Sequence, residues 1–322
     1  MSVNPAVLCP VDFSENARGA LRYAAAIAAH FGARLTLLAV NDPLLGEAAD
    51  LASGPGHLVE ETVREARKFF DGTFEQKPAG IEEVHLDVAA GKPAQEILRV
   101  ARDRHSDLIV MGSHGSTGFR KLFFGSTTER VLRETMVPVL VTPAGDPGPR
   151  QLEDVRKAVR RVLVPVDLTA ATAQQLAITR GLADALDVPV LVLHVIEPVR
   201  SMVAAQPRLP KIETERRHRA ERTLELAAAN MSGQRKPEAL IAYGEPSEEI
   251  AKVATDRDVG LIVMGLHSSP LMGPRMGSVT YRVLCLAHKL VLALPPRPAP
   301  TIRLDEEKNE AGRTLPVGQG AA

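Results

Sequence analysis

Ala6-Val-Leu-Cys-Pro-Val-Asp12-Phe-Ser14 returns 155 positions later as Arg161-Val-Leu-Val-Pro-Val-Asp167-Leu-Thr169. Further pairs follow in the same order. Gly91-Lys-Pro-Ala-Gln-Glu-Ile97 matches Gly244-Glu-Pro-Ser-Glu-Glu-Ile250, and Leu108-Ile-Val-Met-Gly112 matches Leu261-Ile-Val-Met-Gly265, both at an offset of 153. Gly125-Ser126 matches Gly277-Ser278 at an offset of 152. Ordered matches at a nearly constant offset indicate a duplicated domain.

Within the first copy, short apolar runs alternate with helical periodicity. Val7 to Val11 reads as a strand. Ala17, Leu21, Ala24, Ala28 and Phe31 then recur on one helix face, and Gly32 suits the residue after a helix end. Arg34 to Val40 reads as the second strand and His57 to Phe74 as an amphipathic helix. Val84 to Ala89 is the third strand, and Pro93 opens the next helix at its favoured first position. Leu108 to Met111, Ser126 to Glu134 and Val137 to Val141 supply strand, helix and strand. Strands apolar on both faces belong to a parallel sheet covered by helices on both sides. The class is α/β, two tandem doubly wound domains, with the second copy running from Val162 to Leu294.

The expected boundaries are a first domain at 1–144, a linker at 145–160, a second domain at 161–296 and a disordered polar tail at 297–322. The linker carries Ala144-Gly-Asp-Pro-Gly-Pro149, whose Gly and Pro break regular structure. In the second copy, Glu213-Thr-Glu-Arg-Arg-His-Arg-Ala-Glu-Arg222 reads as a solvated helix face.

Charge and composition exclude several classes. Lys plus Arg and Asp plus Glu each number 39, so no global basic field exists to hold nucleic acid. Trp is absent and Tyr numbers three, so base-stacking platforms are scarce. Cys9 and Cys285 read as small buried thiols, with no Cys/His spacing of the zinc type. No apolar run approaches the ~20 residues of a membrane span, and the start of the chain lacks the signal-peptide pattern. A cytoplasmic protein without membrane contact is expected.

The stretch Met111-Gly112-Ser-His-Gly115-Ser-Thr-Gly-Phe-Arg-Lys-Leu-Phe-Phe-Gly125-Ser126-Thr127 leaves a strand and enters a helix. Glycine lets backbone amides approach a phosphate, and the helix start adds unpaired N–H groups. Ser126 and Thr127 add hydroxyl donors. In doubly wound folds ligands bind at the carboxyl ends of the strands, and Asp12, Asn41, Gly91 and Gly112 stand there. The stretch is neither a Walker A loop nor a Gly-x-Gly-x-x-Gly fingerprint. Two ligand-free readings accompany it: Ser126-Thr-Thr-Glu129 also fits a capping box, and Asp12 also fits a helix cap.

The spacing Gly112-x2-Gly115-x9-Gly125-Ser126, with Pro10-Val-Asp12-Phe-Ser14 and Gly91-x-Pro-Ala, resembles the ATP-binding signature of the universal stress protein family. The resemblance covers about residues 5–295, twice over. It implies in each copy a five-stranded parallel sheet in the order 3-2-1-4-5, with copies pairing through their last strands. It also implies roles. Asp12 hydrogen-bonds the nucleoside end and the Val40 backbone contacts adenine. Gly112, Gly115 and Gly125 cradle the phosphates, and Ser126 and Thr127 donate to them. Pro10 and Met111 shape the pocket walls. The implied ligand is ATP, with Mg²⁺ accompanying it. The implied assembly is an internal pseudo-dimer that itself forms a homodimer, with a protein partner that the residues do not identify.

The second copy departs from the signature. Ser268 replaces the second glycine, the loop is one residue shorter, and Pro270 and Pro274 remove backbone donors. Asp167, Val195, Gly265, Gly277 and Ser278 remain, so a weak second site or none is expected. His114 and His267 occupy equivalent positions, and a loop-bonding role is expected of His114 rather than catalysis. No carboxylate pair, nucleophile elbow or metal cluster stands out. The expected function is regulatory ATP binding by the N-terminal domain. A slow ATPase or phosphotransferase and a nucleotide-free scaffold are the competing readings.

Overall fold

The computed structural model describes residues 5–74, 80–81, 83–115, 125–149, 152–198, 209–231, 235–266 and 276–296. The tail expected from 297 onward lies outside them. Ten strands form one sheet. The first five are β1 (Ala6–Pro10), β2 (Arg34–Asn41), β3 (Glu83–Ala90), β4 (Leu108–Gly112) and β5 (Val139–Thr142). The second five are β6 (Val162–Pro165), β7 (Val190–Ile196), β8 (Glu238–Tyr243), β9 (Leu261–Gly265) and β10 (Leu290–Leu294). Their order is β3-β2-β1-β4-β5-β10-β9-β6-β7-β8.

Each half therefore has the order 3-2-1-4-5 with parallel pairing throughout. The halves join at a seam where β5 and β10 run antiparallel, with Val141 opposite Val291. Pairing the last strands leaves β3 and β8 as the outer edges of the sheet.

The helices are α1 (Glu15–Phe31), α2 (Pro43–Ser53), α3 (His57–Thr73), α4 (Pro93–Asp103) and α5 (Ser126–Glu134), then α6 (Leu152–Ala158), α7 (Ala171–Leu186), α8 (Leu209–Ala229), α9 (Pro246–Asp256) and α10 (Ser278–Leu286). On one face, α1, α3, α6, α7 and α8 cover a single core cluster that runs across both halves. On the other, α4 and α5 cover one cluster and α9 another, and α10 contributes to both. Leu8, Leu35, Leu37, Ile109, Leu163, Leu191 and Ile262 are fully buried, as parallel strands sandwiched between helices require.

Local signals explain the element ends. Ser14 caps α1 by accepting from the Ala17 N–H at 3.2 Å. Gly32 ends α1 in the left-handed region at φ 58°, its N–H bonded to the Ala28 carbonyl. Pro93 stands at the start of α4.

Two features differ from the sequence reading. Helix α2 was not foreseen; it buries none of its residues and leaves Leu44, Leu45 and Leu51 exposed. The linker is not irregular throughout. Its second half forms α6, because Val155 and the following Val159 bury against the shared core. Its first half lies flat on α1. There the Arg22 guanidinium donates to the Pro147 carbonyl at 2.7 Å, and the Tyr23 hydroxyl donates to Asp146 at 3.1 Å. Burial, then the Asp146 charge, pushes the Tyr23 phenol pKa well above its ordinary value.

Candidate functional site

The carboxyl ends of β1 and β4 are adjacent in the sheet, where the chain reverses its winding direction. That junction is where doubly wound folds bind ligands. Pro10 ends β1 and is half-buried, Met111 is buried within β4, and Val40 stands one residue from the end of β2. Beyond β1, Asp12 uses Oδ1 to accept from the Ser14 hydroxyl at 2.6 Å and the Ser14 N–H at 3.2 Å. Asp12 therefore does not cap α1. It braces the residue that does. Phe13 between them takes a left-handed φ of 61° and stacks edge-on against Phe69, with centroids 5.6 Å apart.

The glycines converge on this corner. A Cβ built on Gly115 would stand 2.7 Å from the second Asp12 carboxylate oxygen, so a side chain there would have to displace that carboxylate. The Gly125 N–H donates to the Ser113 carbonyl at 2.9 Å, and a Cβ there would lie 3.1 Å from the same oxygen. Gly112 ends β4, and its carbonyl accepts from the buried Thr128 hydroxyl at 2.9 Å. The structure thus brings together Asp12, Gly112, Gly115 and Gly125. Residues 116–124, the middle of the glycine stretch, lie outside the described residues.

The capping-box reading of Ser126 does not hold. Gly125 is the capping residue of α5, no side chain caps the helix, and Ser126 is its exposed first residue with half-buried Thr127 next. Glu129 instead pairs with Arg133 one turn on. Amides at an uncapped helix start suit an anion. His114 has its Nδ1 3.0 Å from the Ser113 hydroxyl, a bond within the loop. Among the described residues no group of three or more His, Cys, Asp or Glu could hold a metal ion. Neither cysteine is in a disulfide; Cys9 is buried and Cys285 half-buried. Burial pushes the Cys9 thiol far up from its usual range.

Thr128 escaped the sequence reading, although its signal was present. Thr280 occupies the same place after Gly277-Ser278, and its hydroxyl donates to the Gly265 carbonyl at 3.0 Å. Thr128→Val keeps the shape and removes the donor. It is expected to cost about 1 kcal/mol by chemical denaturation and to lower affinity for any ligand held by this loop. An unchanged denaturation midpoint would show the bond to be dispensable.

The second domain repeats the frame with looser parts. Asp167 accepts from the Thr169 N–H at 3.0 Å and from its hydroxyl at 2.7 Å. The Gly277 N–H donates to the Leu266 carbonyl at 2.9 Å, but among the described residues a Cβ on Gly277 would meet nothing closer than 3.6 Å. Ser278 is the exposed first residue of α10. Val195 and Asp167 line a cavity that also reaches α8. His267, Ser268, Pro270 and Pro274 lie outside the described residues.

Fold and repeat together define a two-domain, doubly wound α/β protein. The Universal stress protein family model matches residues 5–143 and again 158–295, and the chain belongs to that family. It is 32% identical over 149 residues to a universal stress protein of Methanocaldococcus jannaschii, covering 42% of this chain and 92% of that relative. A second protein of that family from the same organism is 32% identical over 140 residues, covering 42% and 79%. The crystal structure of a universal stress protein from Archaeoglobus fulgidus superposes with a TM-score of 0.63 at 20% identity, covering 91% of this chain and 99% of that one. That last likeness concerns the fold. No described helix is long and apolar enough to cross a membrane.

Proposed function

We propose that this universal stress protein binds ATP through its N-terminal domain and uses the bound nucleotide as a regulatory signal. One observation carries the reading: the Cβ-free face of Gly115 meets the Asp12 carboxylate, beside an α5 helix start that no side chain caps. Asp12 would accept from the nucleoside hydroxyls, with the Val40 backbone beside the adenine and Pro10 and Met111 as walls. Gly112, Gly115 and Gly125 would admit the phosphates to main-chain amides, with Ser126 and Thr127 as further donors. Mg²⁺ would travel with the triphosphate and offset its charge.

Two points favour the N-terminal domain. A Cβ at 125 would make a tight contact of 3.1 Å with the Ser113 carbonyl, whereas among the described residues a Cβ at 277 meets its first neighbour at 3.6 Å. The second copy also has Ser268 in place of the second glycine. A ligand bound to one conformer stabilises that conformer, so occupancy could be read by a partner. His114 is engaged by Ser113, which favours regulation over turnover.

Equilibrium titration with ATP is expected to give one tight site per chain, and turnover well below the roughly one per second of a kinase. Two equal tight sites would overturn the domain preference. The absence of any saturable ATP binding would overturn the nucleotide reading itself, in favour of a scaffold.

A further inference from the structure

Strand β3 is one outer edge of the sheet, and among the described residues no strand pairs with its outer side. The Gly91 N–H just beyond it donates to the Asn41 carbonyl of β2 at 3.0 Å. Main-chain groups alternate sides along a strand, so Val84, Leu86 and Val88 turn their N–H and C=O groups outward. Two cavities flank this edge. One of about 440 Å³ is lined by Phe70 and Phe74 and by exposed Arg67 and Asp71, beside Val84 and Leu86. The other, of about 420 Å³, is lined by Val59 and Val63 of α3 and by Arg99 and Asp103 of α4. Those helices cover opposite faces of the sheet, so this second space passes around the β3 edge itself.

Edge strands are commonly guarded by Lys, Pro or a bulge. Glu83-Val-His-Leu-Asp-Val-Ala-Ala90 has neither residue, and all eight positions pair with β2 without a break. Its charges are already matched within the chain. Asp87 accepts from the Arg104 guanidinium at 2.7 and 2.9 Å, and His85 lies 3.0 Å from Glu83. The strand is also complementary to its own reverse. Centred on His85, an antiparallel copy sets His85 against itself and Glu83 against Asp87. Centred on Asp87, it sets two Asp87 carboxylates face to face. Like charges directly opposite are destabilising. Centred on Leu86, it sets His85 against Asp87, Val84 against Val88 and Leu86 against Leu86, with every outward main-chain group facing another. The other outer edge, β8, has no such register signal. Its one charged residue, Glu238, holds Arg161 and Arg257 of its own chain.

We propose that the β3 edges join two copies of this chain, antiparallel about a two-fold axis at Leu86, into one sheet of doubled width. An axis of this kind stands perpendicular to the sheet, so α3 meets α3 of the second copy on one face and α4 meets α4 on the other. A two-fold contact is self-complementary, with residue i meeting j and j meeting i. A rim that carries both signs then finds its own match. Arg67 with Asp71 supplies one such rim, and Arg99 with Asp103 the other. The second copy's Val84 and Val88 cover the apolar walls of the two cavities. The contact shares no residue with the β5–β10 seam or with the Asp12 corner, so it does not rest on ATP binding.

Sedimentation of the full chain over a rising concentration series is expected to show a monomer–dimer equilibrium. Val88→Pro removes an outward amide that β2 does not use, and proline is tolerated at such edge positions. By symmetry two bonds are lost, so association is expected to weaken by about tenfold or more, with the circular dichroism spectrum unchanged. His85→Lys sets a fixed positive charge against the second copy's Asp87 and is expected to tighten association by about twofold or more. His85→Asp sets like charges together and is expected to weaken it by a similar factor. A tighter dimer and a looser one from a single position are not the result of misfolding. The proposal is overturned if the chain stays monomeric throughout the series, if Val88→Pro associates as tightly as its parent, or if both His85 substitutions shift association the same way.

Discussion

Gly115→Val is expected to weaken ATP binding by about tenfold to a hundredfold, the largest functional effect of any single substitution foreseen here. The first carbon of the new side chain would arrive 2.7 Å from an Asp12 carboxylate oxygen. Asp12 is not free to swing away. Its other oxygen holds the hydroxyl and amide of Ser14, and Ser14 caps α1. Either the carboxylate leaves Ser14 or the loop moves off the strand end. Overpacking of this sort costs about 1–3 kcal/mol, and each 1.4 kcal/mol is a factor of ten in affinity. Calorimetric titration of ATP into both proteins reads the change. Gly46→Ala is the matched control, because a Cβ at Gly46 meets nothing within 4 Å. An affinity within twofold of the unmutated chain would remove the glycine corner from the binding model.

The second large effect is on stability. Gly19 lies on the face of α1 under the first half of the linker, and a Cβ there would overlap the Asp146 carbonyl. Gly19→Val is expected to lift residues 145–148 from the helix. The bonds of Arg22 to Pro147, of Tyr23 to Asp146 and of the Gly145 N–H to Asn16 would go with it. Lifting the linker relieves the clash and forfeits three hydrogen bonds at about 0.5–1.5 kcal/mol each, so about 2–4 kcal/mol is expected in all. Chemical denaturation measures it. A second readout is local. The neutral Tyr23 phenol is favoured by burial and by the Asp146 charge, so it ionises at higher pH than an exposed tyrosine. In the variant that phenol should ionise earlier as pH rises, visible as tyrosinate absorbance. Unchanged ionisation would mean that the linker had stayed in place.

The repeated stretches at Asp12 and Asp167 were enough to reveal two copies, because each copy must present the same strand end and turn. The buried strands were legible for the same reason: Leu108 to Gly112 has no polar residue to mislead. The start of α5 at Ser126 was also legible, since a glycine precedes it. Helix α2 was not, because its eleven residues bury nothing and its leucines follow no stripe facing a core. The helix in the linker was missed because Gly and Pro at 145–149 outweighed Val155 and Val159, whose burial depends on packing against distant parts of the chain. At the candidate site, residue types and spacing singled out the glycines, Asp12 and the helix start, which the fold brings to one corner. They did not give the division of labour between Asp12 and Ser14, because both residues suit a helix cap and only geometry chooses. The cavity beside α8 was hidden for a different reason. Its lining comes from two strand ends and a helix that only folding brings together, so no motif marks it.

The antiparallel seam between β5 and β10 has a topological consequence. Because all strands within a half point one way and the halves point opposite ways, the two sets of strand ends emerge at opposite rims of the shared sheet. Anything docked over the Asp12 rim is out of reach of the Asp167 rim. The paired main chains of Val139 to Val141 and Val291 to Ala293 are the direct connection between the two rims.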